Sequence, residues 1–179
     1  MSIKLRACVE TDIPSITAIY AHAVTHGTAS FELVAPDQAE MSRRRAALID
    51  ADYPYLVAER EDAVVGYAYA GPYRPRPAYR STVEDSIYVA PEAQGAGIGR
   101  LLLARLIDEA EARDFRLMVA VIGDEESHGS IALHRSHGFD LAGTLPGIGY
   151  KHGRWLSTVL MRRVLGPGIA APPTRGLAG

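Results

Sequence analysis

Cysteine is nearly missing from this chain: Cys8 is the only one in 179 residues. One thiol cannot close an internal disulfide. That excludes a disulfide-stapled scaffold and points to a reducing, cytoplasmic home. No charge of one sign dominates either. The 19 Lys and Arg against 21 Asp and Glu leave a net charge of −2. Nothing in that balance argues for nucleic acid or an anionic membrane as partner. No apolar run approaches the length of a membrane span, and residues 1–6 lack the apolar stretch of a signal peptide. No internal repeat is visible. What is present is 47% hydrophobic and 22% charged residues. That composition fits a globular protein, long enough for one domain with a sizeable core.

Periodicity supplies the outline. Residues 3–9 alternate and read as a first strand. Asp12 caps a helix with Pro14 in its first turn and Ile16, Ile19, Tyr20 and Val24 at helical spacing. Residues 26–32 read as a loop, and a second helix runs roughly over 36–50. Strands 55–59 and 64–70 form a hairpin across Glu61 and Asp62. Pro72, Pro75 and Pro77 keep 71–77 irregular. There follow a strand over 82–89, an amphipathic helix over 100–113 and an apolar, buried strand over 117–122. A short helix over 130–137, closed by Gly138, precedes strands 139–145 and 155–162. The order β-α-α-β-β-β-α-β-α-β-β predicts a mixed α/β domain over residues 1–165. Residues 166–179, with three prolines, read as a disordered tail.

The most informative segment is Gln94, Gly95, Ala96, Gly97, Ile98, Gly99, between the strand ending at Val89 and the helix opening at Arg100. Three glycines strip side chains from a strand-to-helix turn, so backbone N–H groups can converge. The first turn of a helix adds unpaired donors and a partial positive charge. Together they make a phosphate cradle. A dinucleotide fingerprint needs G-x-G-x-x-G, and here the third required position is Arg100. A P-loop needs Gly-Lys-Ser/Thr, which Gly99-Arg100-Leu101 is not.

The Gln-x-x-Gly-x-Gly form resembles the pyrophosphate loop of GNAT-type acyltransferases, whose ligand is acetyl-CoA. The resemblance extends over about residues 3–163. Residues 53–59, 66–72, 82–89, 119–123 and 149–155 are similar to phosphinothricin acetyltransferases and their relatives that acetylate methionine sulfone or sulfoximine. It implies a mixed, splayed β-sheet flanked by helices. It further implies a homodimer that moves acetyl from acetyl-CoA to the α-amine of a small amino acid. Backbone groups of Ile87, Tyr88 and Val89 would hold the CoA arm, and residues 94–100 its pyrophosphate. The family has an asparagine near the pantetheine where this chain has Ser127, which puts that contact in question.

Chemistry narrows the catalytic candidates. An amino-acid amine is an ammonium at neutral pH, so a base must take a proton before it attacks a thioester. Glu84 shares one strand face with Thr82, Ser86 and Tyr88 by period two. A strand glutamate is more often a solvated residue, but the resemblance at Thr82-Val83-Glu84 assigns it the base. His134 falls where many relatives carry a tyrosine that protonates the departing thiolate. A histidine can give or take a proton near pH 7, or fix packing alone. His134 and His137 lack a third ligand, so no metal is expected.

Arg74, Arg76, Tyr79 and Arg80 precede Glu84. Guanidinium forks suit carboxylate, phosphinate and sulfone oxygens, although a basic loop can also be merely solvated. By resemblance, Phe31 walls the acceptor site, and Arg74 stands where the phosphinothricin enzymes carry lysine. Tyr150 and Trp155 read as core or dimer residues. The rival readings are an acetyltransferase for a peptide or protein N-terminus, which needs an open groove, and a non-catalytic CoA sensor, which would lack the base.

Overall fold

The computed structural model describes residues 2–175. Seven strands form one sheet: β1 (Lys4–Ala7), β2 (Tyr55–Arg60), β3 (Ala63–Pro72), β4 (Thr82–Val89), β5 (Leu117–Gly123), β6 (Asp140–Lys151) and β7 (Arg154–Val164). Their order is β1-β2-β3-β4-β5-β7-β6. All neighbours pair antiparallel except β4 and β5, which are parallel. Four helices flank the sheet: α1 (Ile13–His26), α2 (Gln38–Asp50), α3 (Ile98–Ala112) and α4 (His128–Ser136). This is the mixed α/β sheet the element order predicts.

The parallel step follows from the chain between those strands. A parallel neighbour needs a crossover, and α3 supplies it. Ile98, Leu102, Leu103, Leu106, Ile107 and Ala110 recur at helical spacing and are buried. Gly66 on β3 lets α3 lie close: a Cβ there would press on Ile98, Leu102 and the Tyr88 carbonyl. On the opposite side α1 packs on β3 and β4, and Tyr20 meets Tyr88 edge-on at 4.9 Å.

Several boundaries differ from the sequence reading. Asp12 does sit at the start of α1, but its side chain makes no cap bond. It instead receives both Arg6 guanidinium nitrogens at 2.7 and 2.8 Å and the Val9 N–H. An arginine from β1 thus outcompetes the helix for that carboxylate. The cap of α2 is Asp37, which accepts from Glu40 N. Helix α3 starts at Ile98, so Ile98 and Gly99 belong to its first turn rather than to the loop. Strand β6 continues past Leu145 to Lys151, because a register shift against β7 between Leu145 and Gly149 absorbs Pro146 and Gly147.

The expectation of a disordered tail fails for residues 166–175; residues 176–179 lie outside the described residues. Arg175 donates to Asp52 Oδ2 at 2.9 Å and to the Ala51 carbonyl at 2.8 Å. Its guanidinium lies 4.3 Å from the Phe115 ring centre. Asp114 accepts from Thr174 N at 2.8 Å, and Arg116 donates to the Pro172 carbonyl. Proline content was the wrong measure, since charged side chains anchor the segment. Arg175→Ala is expected to destabilise the protein by about 1–2 kcal/mol, the sum of a cation–π contact and hydrogen bonds. Thermal unfolding checks this; an unchanged midpoint would mean that the segment adds nothing.

Candidate active site

β4 and β5 pair only from Thr82↔Leu117 to Asp85↔Ala120. Beyond that they part, β4 running on to Val89 and β5 to Gly123. A cleft of about 1020 Å3 lies in the opening, and it runs from Phe31 and Glu84 to the glycine loop and α4. Backbone groups on parted strands have lost their ladder partners and favour an occupant that replaces them.

The loop closes one end. Gly97 is the N-terminal flank of α3 with φ of +77°, and Gly95 has φ of +76°. These left-handed conformations favour glycine. A Cβ at either position would meet no heavy atom within 4 Å, so the space above the loop is open toward the cleft. In the first turn of α3 the Arg100 N–H donates to the Gly97 carbonyl at 3.1 Å, which leaves the N–H groups of Ile98 and Gly99 as the donors without a helical partner. The donor set therefore fits a pyrophosphate, and the parted strands fit an amide-bearing arm. CoA has both.

Phe31, Glu84, Ile87, Tyr88, Val89, Gln94, Gly95, Gly97, Ile98, Gly99, Arg100, Ser127 and His134 all line this cleft. Ala96 does not line it. Ser127 donates its hydroxyl to the Gly123 carbonyl at 2.8 Å, so it holds the end of β5. The basic loop is different. Arg76 and Tyr79 are exposed and lie outside the cleft lining. Arg80 is turned away, giving its Nε to the Arg175 carbonyl at 3.2 Å. Arg74 rests over Tyr73 at 5.1 Å, yet its charge reaches Glu84 and favours the ionised form there. Closeness in sequence to Glu84 did not place the four side chains in the cleft.

Glu84 is partly buried, one residue before the last β4–β5 pair. Burial raises its carboxyl, the neighbouring Asp85 charge adds to this, and Arg74 opposes; the net value is about 7. A carboxylate tuned there can take a proton at neutral pH. Three further groups were not singled out by sequence. Glu32 accepts from the Tyr20 hydroxyl at 2.8 Å and from Arg44 at 2.6 Å. Lys151 is buried and donates to the Ser30 carbonyl at 2.6 Å. Asp85, buried opposite Glu84, meets His134. A carboxylate at an inward strand position was the only available signal for Asp85.

Phe31 is seated by two glycines. Cβ atoms at Gly123 or Gly149 would overlap its ring, and one at Gly123 would also strike the Thr28 carbonyl. The aromatic wall is therefore built from β5, β6 and the loop after α1 together. Tyr150 and Trp155, by contrast, are exposed and pack edge-on at 5.3 Å, so neither is a core residue. Among the described residues no group of three His, Cys, Asp or Glu is placed to hold a metal.

Comparison with known proteins gives the same direction. The model of the acetyltransferase (GNAT) family matches residues 19–139. The chain is 52% identical over 169 residues to a phosphinothricin N-acetyltransferase of Alcaligenes faecalis, covering 94% of this chain and 86% of the relative. It is 39% identical to an L-methionine sulfoximine/L-methionine sulfone acetyltransferase of Pseudomonas paraeruginosa, over 96% of this chain and all of that one. It superposes with a TM-score of 0.95 and 49% identity on a phosphinothricin acetyltransferase from Sinorhizobium meliloti solved with acetyl-CoA, covering 98% and 95% of the two chains.

The Glu84 environment has a stability consequence. Its folded value of about 7 lies above the ordinary 4.5. The carboxyl is neutral in both states at low pH and costs nothing there. As pH rises through that window the unfolded chain ionises first, and stability falls. Glu84→Gln should thus gain on the wild type by roughly 2–3 kcal/mol between about pH 4.5 and 7. Denaturant unfolding at several pH values checks this; a constant difference would contradict the burial of the carboxylate.

Proposed function

The chain belongs to the acetyltransferase (GNAT) family, and from that premise we propose that it moves acetyl from acetyl-CoA to the α-amine of a small amino acid. The proposed acceptors have an oxygen-rich head: phosphinothricin, methionine sulfone or methionine sulfoximine. The names of its relatives supply this acceptor class. The observation that carries the mechanism is Glu84, poised near pH 7 in the cleft where β4 leaves β5.

In this reading the loop from Gln94 to Arg100 holds the pyrophosphate at the start of α3. Backbone groups of Ile87 and Val89 bind the arm along the unpaired edge of β4. Glu84 removes a proton from the acceptor ammonium, directly or through water, and the amine then attacks the thioester. Phe31 walls the acceptor side, and the negative charges of Glu32 and Glu84 favour the ammonium end. Arg74, whose charge reaches Glu84, is the candidate for the acceptor's anionic head. His134 is the candidate for protonating the departing thiolate, a step in which it must release one of its two ring contacts, Asp85 or the Ser130 carbonyl.

The same reading makes the working unit a homodimer. Leu141, Leu145, Ile148 and Tyr150 are exposed along the edge strand β6, with Trp155 beside them on β7. An edge strand of that character favours a covering partner. The single buried thiol, Cys8, suits a cytoplasmic compartment.

Two experiments test the proposal. Purified protein offered a panel of amino acids, lysine and a peptide N-terminus, with thiol release as readout, should turn over the oxygen-headed amino acids fastest. A better rate with lysine or the peptide would overturn the acceptor class. Glu84→Gln should keep CoA affinity and lower kcat by roughly two to four orders of magnitude; an unchanged kcat at pH 7 removes Glu84 from the chemistry.

Gly97→Glu should abolish tight CoA binding, since it forces a side chain with negative charge onto a left-handed position facing the phosphates. Calorimetric titration with CoA reads this directly. Equal affinity in the variant would move the pyrophosphate elsewhere.

A further inference from the structure

The last paired residue of β4 before the strands part is Asp85, opposite Ala120. Its carboxylate is buried on the face toward α4, while Glu84 takes the other face. The Asp85 Oδ2 lies 2.9 Å from His134 Nε2. The other ring nitrogen, Nδ1, lies 2.8 Å from the Ser130 carbonyl. A carbonyl can only accept, so Nδ1 carries a hydrogen. An ionised Asp85 likewise only accepts, so beside it Nε2 carries one too. The ring is also held edge-on against Phe139 at 5.0 Å. His134 is 4% exposed and lines the cleft, as Asp85 does. The second carboxylate oxygen, Oδ1, is buried and has no partner among the described residues. A buried carboxylate left half satisfied is costly unless its charge is used.

We infer that Asp85 is a positioning residue that serves both proposed catalytic groups at once, fixing His134 as an imidazolium beside the cleft and placing a negative charge one residue from Glu84. The inference rests on the roles proposed above for Glu84 and His134. Its substance is that one buried carboxylate ties base and acid together, so they titrate as a linked set. Among the described residues, the other titratable or charged groups that reach this set are Arg74 and Tyr69, both beside Glu84. Val119, paired with Glu84 from β5, is apolar. Against His134 stand Asp85, the Ser130 carbonyl and hydroxyl, and Phe139.

The signs follow from the contacts. Burial lowers the His134 value, but the hydrogen bond and charge of Asp85 and the Ser130 carbonyl outweigh it, and the net shift is upward. Burial and Asp85 both raise Glu84. If Glu84 must be ionised and His134 protonated, kcat rises with pH as Glu84 deprotonates and falls as His134 does. Removing the Asp85 charge lowers the proton affinity of both groups. The whole bell therefore moves toward acid. A variant that merely loosened the fold would lower kcat and leave both limbs in place.

The test is the kcat–pH profile of Asp85→Asn at saturating acetyl-CoA and acceptor. Both limbs should move acidward by about one pH unit or more. At the alkaline end kcat should fall at least about tenfold, while the KM for acetyl-CoA stays within about twofold. Limbs that do not move overturn the inference. Glu84→Gln separates this from failure of the base assignment. If that variant keeps the rising limb, the base is another group, and the falling limb of Asp85→Asn alone decides whether Asp85 governs His134. Should Asp85→Asn not fold, ring 15N spectra of the wild type decide, with His134 assigned by its loss in His134→Gln. Both nitrogens should carry hydrogens at about pH 7; a neutral tautomer overturns the inference.

Discussion

The structure turns on two parallel strands that stop pairing after four residues each. Up to Asp85 and Ala120 the ladder is complete; past them β4 and β5 keep their outer partners, β3 and β7, but lose one another. Unpaired backbone in a protein interior has to be answered by something. In the function proposed above, that answer falls to the amide-bearing arm of CoA. The crossover helix between the same strands begins where its phosphates would lie. One break in hydrogen bonding would thus set the direction of the arm, the position of its anionic end and the vertex of the chemistry.

The vertex is also where the protein spends stability. Glu84 and Asp85 are consecutive carboxylates in a partly dry place, which an optimally stable sheet would avoid. Alternation of the strand sends one toward α1 and α2 and the other toward α4, so the two acids do not share a counter-ion. Asp85 has His134; Glu84 has only the more distant charge of Arg74. That asymmetry is what leaves Glu84 able to exchange a proton near neutrality.

Much of this was legible in the chain, for local reasons. The glycine loop is a run of neighbours, and period two gives the faces of 82–89 directly. All seven strands and four helices could be read from pattern and punctuation. What escaped depends on distant pairs. Asp85 and His134 are 49 positions apart, and Phe31 finds its two glycines on strands that only the sheet order brings together. The basic loop shows the converse error. Arg80 is four residues from Glu84 in the chain, but it serves the Arg175 carbonyl 95 positions on. The segment 166–175 misled for a related reason: proline content describes local stiffness, whereas Arg175 reaches back to Asp52 and Phe115.

The seating of Phe31 constrains how this protein can diverge. Its ring fills the places where side chains at 123 and 149 would stand. An alanine arriving first at Gly149 strikes the ring, whereas a smaller residue arriving first at 31 leaves a hollow there with no collision. That hollow could later be filled, giving the cleft a wall of another shape. Gly123 stays fixed in either order, because a Cβ there also meets the Thr28 carbonyl. Positions 31 and 149 are therefore epistatic, and the order of events matters. Lineages that reshape this wall are expected to lose the aromatic before they lose Gly149. Reversion after Gly149 has changed would be closed to single steps.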